Sequence, residues 1–238
     1  MGTEQKVVIV TGASQGIGAG IVEAFRNRNH HVVATSRSIK PVEGVLTVQG
    51  DIGAPETAEK VVKAALERFG RIDTLVNNAG LFMAKPFTAY SREDYETYLA
   101  TNVTGFFYMT QSALDVMGKQ GRGHVVTITT SLVDQPMSSV PAALASLTKG
   151  ALSAATKALA IEYARTGVRV NAVSPGIIKT PMHPPEAHPA LAALHPMGRM
   201  GDVSDIVNAV LYLDDAGFVT GEILHVDGGQ AAGHHVIG

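Results

Sequence analysis

The stretch Val7-Val-Ile-Val-Thr-Gly-Ala-Ser-Gln-Gly-Ile-Gly18 sets the reading of the whole chain. Val7 to Val10 is an apolar, valine-rich run without polar alternation, the pattern of a strand buried on both faces of a parallel sheet. Gly12, Gly16 and Gly18 follow directly, and Ile21, Val22, Ala24 and Phe25 then recur at helical spacing. A strand, a glycine turn and a helix in that order let backbone N–H groups at a helix N-terminus approach a pyrophosphate. The glycine spacing is three-then-one, not the one-then-two of the commoner dinucleotide fingerprint.

Outward from this unit the alternation continues. Strands are expected at His31 to Thr35, Val45 to Val48, Asp73 to Val76, Val125 to Thr129, Val168 to Val173 and Ile223 to Val226. Helices are expected from Pro55 to about Phe69, from a Ser91/Asp94 capping box toward Leu99, from Val103 to Met117, from Pro141 to about Arg165 and from Val203 to Leu213. No repeat or linker interrupts the series. Residues 1–238 therefore read as one doubly wound α/β domain with a parallel sheet of about seven strands flanked by helices. Only residues 179–201 break the rhythm. That segment carries five prolines and three histidines, is too long for an ordinary connection, and is expected to act as a lid.

Composition narrows the function. Of 238 residues 45% are hydrophobic and 17% charged, which suits a folded domain. The formal net charge is -2, so nucleic acid is not an expected partner. No apolar run approaches a membrane span, and four apolar residues before a glycine turn are too few for a signal peptide. The chain has no cysteine, hence no disulfide, thiolate site or cysteine nucleophile. A cytoplasmic protein acting on a small molecule, without a metal, is the expectation.

Thr11-Gly-x-x-x-Gly-Ile-Gly18, Asn77-Asn-Ala-Gly80, Asn102, Ser174-Pro-Gly176 and Val226-Asp-Gly-Gly229 together resemble the short-chain dehydrogenase/reductase family, over essentially the whole chain. The resemblance implies a single Rossmann-type domain that binds NAD or NADP, usually as a homodimer or homotetramer. It places Gly12, Ser14, Gly16, Ile17 and Gly18 at the cofactor phosphates and adjoining ribose, and Asp51 and Ile52 beside the adenine. Asn78, Ala79 and Gly80 would line the cofactor's ribose side. Pro175, Gly176, Ile178 and Thr180 would hold the nicotinamide amide. At the end of the second strand, where an NAD site usually carries a carboxylate, stand Ser36 and Arg37. A guanidinium pairs with a 2′-phosphate, so NADP is expected ahead of NAD.

The same resemblance assigns Asn102, Ser131 and Lys149 to catalysis, with Lys149 also binding the nicotinamide ribose. It also exposes a gap. The family's proton donor is a tyrosine four residues before the lysine, and that position here is Ala145. Ser131 lies 14 positions before Ala145, where the family usually has 13, the place of Leu132. His183, His188 and His195 in the 179–201 segment, and Asp134 near Ser131, are alternative proton sources, although a histidine in such a loop is most often solvated. Two functions follow. One is an NADP(H)-preferring oxidoreductase interconverting a small alcohol and carbonyl with a non-standard proton donor. The other is a nucleotide-binding homologue with little or no turnover.

Overall fold

The computed structural model describes residues 5–233. Seven strands form one parallel sheet: β1 (Val7–Thr11), β2 (His31–Ser36), β3 (Val45–Gln49), β4 (Thr74–Asn77), β5 (Gly123–Ile128), β6 (Val168–Pro175) and β7 (Ile223–Val226). Their spatial order is β3-β2-β1-β4-β5-β6-β7. The order reverses between β1 and β4, the kind of crevice where open α/β sheets bind ligands.

The unalternating run in β1 is explained by its two neighbours. Val7 and Ile9 join a core with α2 (Pro55–Phe69) and α4 (Gly105–Gln120). Val8 and Val10 point to the other face, against α1 (Gly16–Asn27) and α7 (Val203–Asp215). All four side chains are fully buried, so both faces need apolar residues. Between these helices in the chain lie α3 (Arg92–Tyr98), α5 (Ala143–Tyr163) and the short α6 (His188–Ala192). The Ser91/Asp94 capping box forms as expected, and Asp202 with Asp205 makes a second one at α7.

The junction between α3 and α4 differs from expectation. α3 and α4 are not separate helices; a π-helical turn, Leu99–Thr104, joins them into one run. Asn102 sits in that turn. A turn with one extra residue releases its side chain from the helix surface. Asn102 Oδ1 accepts from the Leu81 N–H at 2.8 Å, and Nδ2 donates to Thr148 Oγ1 at 3.0 Å.

At the other end of the sheet the chain buries a charged network. Asp214 accepts from Lys6 Nζ at 2.8 Å and from Thr74 Oγ1 at 2.6 Å, with His124 Nδ1 at 3.5 Å. Burial holds His124 neutral, pulling it from 6.5 down to about 4. The nearby His124 and hydrogen bonds from Lys6 and Thr74 outweigh burial at Asp214 and keep its carboxyl well below the usual range.

Candidate active site

The loops leaving β1 and β4 are stitched together by one side chain. Thr11 Oγ1 accepts from the N–H groups of Asn78 and Ala79, each at 3.0 Å. Asn78 Nδ2 returns the link to the carbonyls of Thr11 and Gly12 at 2.9 and 3.1 Å. This closeness is why residue 12 is glycine. Its φ is +64°, and a Cβ there would stand 2.8 Å from Ala79 Cα. Gly18 is more constrained still: a Cβ would meet the Gly12 carbonyl oxygen at 2.3 Å.

These loops open into a cleft of about 610 Å³. Gly12, Ser14, Gly16 and Ile17 line its floor beside the start of α1. Ser36 and Arg37 line one end with Asp51 and Ile52. Asn78, Ala79 and Gly80 follow the β4 exit, and Pro175, Gly176, Ile178 and Thr180 the β6 exit. The residues expected at the cofactor and in catalysis lie along this cleft, with two departures. Gly18 and Asn102 are the exceptions. Both lie behind the wall, Gly18 as the close contact under the β1 turn and Asn102 as the support of Leu81.

The end of the lining at β2 is polar. Ser36 Oγ is buried with no hydrogen-bond partner within the chain. Among the described residues, no carboxylate pairs with the exposed Arg37 guanidinium beside it. An orphan hydroxyl next to an uncommitted guanidinium suits an anionic ligand group.

The other half of the cleft is mostly apolar, with Leu81, Phe82, Leu132, Met137, Val140, Ala145, Met182 and Leu191. Lys149 is the charged residue in its depth. α5 carries it one turn after Ala145, on the same face. Its Nζ donates to the Ile128 carbonyl at 2.7 Å, and no carboxylate among the described residues pairs with it. Gly80 leaves it room: a Cβ there would sit 2.8 Å from Nζ. Desolvation pulls the ammonium from 10.5 down to about 8. Lys149 can therefore hold or release a proton near neutral pH. Ser131 is only 1% exposed, and its Oγ donates to Gln230 Oε1 at 2.9 Å.

Comparison with known proteins agrees with this geometry. Residues 12–231 match the family model described as enoyl-(acyl carrier protein) reductase. The 3-oxoacyl-[acyl-carrier-protein] reductase FabG of Vibrio cholerae is 35% identical over 97% of this chain and 99% of that protein. The chain belongs to the short-chain dehydrogenase/reductase family. It is accordingly an NAD(P)-dependent oxidoreductase by family. Among solved structures, ElxO with NADP bound superposes with a TM-score of 0.90 at 29% identity, covering 96% of this chain and all of that one. The 3-ketoacyl-(acyl-carrier-protein) reductase of Brucella melitensis complexed with NADH gives 0.89 at 29% identity, covering 96% and 99%.

None of the six tyrosines lines the cleft. Tyr98 packs near Ala145 but spends its hydroxyl on the Met83 carbonyl at 3.2 Å, and burial raises it to about 12. Asp134 faces away and bonds His225 Nε2 at 3.0 Å. His195 is neither solvated nor part of the cleft lining. It is buried, with Nε2 accepting from the Ile177 N–H at 2.9 Å and Nδ1 bonded to the Leu191 carbonyl at 3.0 Å. His188 bonds the His183 carbonyl at 3.1 Å, outside the cleft. Only His183 of the three lines it, and burial lowers its pKa first, with His188 adding to that. Two participants were not anticipated. Thr11 stood inside the quoted motif with no role assigned to it. Gln230 follows the Gly228-Gly229 turn, and nothing local shows that this turn returns it to Ser131.

Proposed function

We propose that this protein is an NADP(H)-preferring oxidoreductase for a small, uncharged alcohol and its carbonyl, with Lys149 as the proton-holding group in place of the family tyrosine. The observation that carries this reading is one cleft with a glycine turn and the partnerless Ser36 hydroxyl beside Arg37 at one end, and a buried lysine without a tyrosine at the other. In the reading, Gly12, Ser14, Gly16 and Ile17 receive the diphosphate at the N-terminus of α1. Ser36 and Arg37 receive a 2′-phosphate, Asp51 and Ile52 flank the adenine, and Asn78 to Gly80 with Lys149 take the ribose side. Pro175, Gly176, Ile178 and Thr180 hold the amide end. When bound, the nicotinamide supplies or accepts hydride.

The remaining work falls to the chain's own groups. Ser131 offers a hydroxyl oxygen to the substrate oxygen. Lys149 gives up a proton from Nζ in the reductive direction and takes one in the oxidative direction, through water admitted beside the Ala145 methyl group. The apolar wall excludes other charge and strengthens these interactions. Segment 179–201 contributes Thr180, Met182, His183 and Leu191 to the lining, which supports its assignment as a lid. A homodimer or homotetramer in the cytoplasm belongs to the same reading, through the family.

Titration with NADPH and NADH tests the cofactor assignment. Arg37→Asp should weaken NADPH relative to NADH by about 10- to 100-fold, one or two charge-assisted hydrogen bonds. An unchanged ratio refutes it. Turnover across a carbonyl panel tests the proton assignment. Reduction should fall, and oxidation rise, as pH increases through about 8. The second reading, a nucleotide-binding homologue with little turnover, is favoured by the absence of any tyrosine from the cleft. It holds if NADPH binds but turnover starts only in Ala145→Tyr.

A further inference from the structure

The family carries the idea of a serine at the substrate oxygen, but the direction of that serine's proton is set by this chain's own Gln230. Gln230 is 4% exposed and lines the cleft from the segment after β7. Its Nε2 lies 3.2 Å from the Leu194 carbonyl, which can only accept. That contact fixes the amide, and the other end, Oε1, faces Ser131 Oγ at 2.9 Å. A carbonyl-type oxygen also only accepts, so Ser131 must be the donor. A serine hydroxyl has one hydrogen. With it committed to Gln230, Ser131 turns lone pairs toward the cleft. A ligand carbonyl oxygen there meets another acceptor, whereas a ligand hydroxyl finds a partner. The phenol that would otherwise offer a second donor is absent at Ala145.

We propose that Gln230 is a positioning residue that makes Ser131 a hydrogen-bond acceptor, so that the cleft selects the alcohol over the ketone of a matched pair. The proposal rests on the reading of this cleft as a dinucleotide and alcohol site. It adds a polarity: the alcohol is the tightly held form, and the ketone the readily released one. Gln230 also joins this selection to segment 179–201 through Leu194, whose neighbour His195 anchors the segment to Ile177.

The test uses the full chain saturated with tetrahydro-NADP, a reduced analogue that cannot give up hydride. Dissociation constants are measured by ligand-observed NMR for matched pairs, cyclohexanol with cyclohexanone and 2-octanol with 2-octanone. The wild type should hold each alcohol about tenfold more tightly than its ketone, the factor for one hydrogen bond left unmade. Gln230→Leu and Gln230→Met should bring the ratio to one or below. Ser131→Ala should also equalise the pairs, and it carries the test should the Gln230 variants lose their melting transition. A merely structural glutamine would alter both affinities together and leave the ratio in place. Parity in the wild type, no binding of either member, or a preference that survives Ser131→Ala overturns the proposal. Parity with tetrahydro-NADP still bound overturns this inference alone. Failure to bind the dinucleotide overturns the function proposed above.

Discussion

Lys149→Met should make the protein more stable while removing its activity. Lys149 is 9% exposed and has no counter-ion. Its drop from 10.5 to about 8 means that burial penalises the charged form by about 3 kcal/mol. Methionine has a similar length and no charge, and it forfeits one hydrogen bond to the Ile128 carbonyl, worth about 1 kcal/mol. The net gain at pH 7 is about 2 kcal/mol, or a rise in Tm of about 4–8 °C for a chain of this size. The sign reverses with pH in a defined window. A base whose folded pKa is depressed binds its proton better when unfolded. The penalty is therefore complete below about 8 and disappears as pH rises toward 10.5. Wild type should gain stability across that window, and Lys149→Met should not. The assay is urea unfolding of both proteins, without dinucleotide, at pH 7 and pH 10. A variant that unfolds no later than wild type at pH 7, or a gap that persists at pH 10, refutes the reasoning.

Gly18→Ala should abolish dinucleotide binding and destabilise the fold by at least about 2 kcal/mol, since its Cβ would stand 2.3 Å from a backbone oxygen; NADPH titration and thermal melting check this. Thr11→Val leaves the Ala79 N–H without its acceptor and the Asn78 N–H with only the Val76 carbonyl, and should cost about 1–3 kcal/mol in urea unfolding. Because burial holds His124 neutral in the fold, the unfolded chain binds the extra proton, and stability should decline as pH falls from 6.5 toward 4. Unfolding midpoints of wild type and His124→Gln over that range should show a shallower decline in the variant.

The sequence by itself determined the sheet and the residues that line one half of the cleft. β1 and the glycine turn are adjacent in the chain, and their pattern follows from local sterics and two-sided burial. Ser36, Arg37, Asp51 and Asn78 each close a strand, so a parallel sheet places them at one edge once strand order is known. The gap at Ala145 was equally legible, because position 145 and Lys149 share one helix face. What depended on the tertiary structure joins residues far apart in the chain. Gln230 reaches Ser131 across 99 positions, and Asn102 reaches Thr148 across 46. His195 looked like a solvated loop residue until the packing of 179–201 on β6 buried it. The fused α3–α4 run belongs with these: its π turn serves a contact to the β4 loop that no helical pattern records. Local pattern fixes which groups are available, whereas the direction of a proton or the burial of a ring depends on neighbours supplied by the fold.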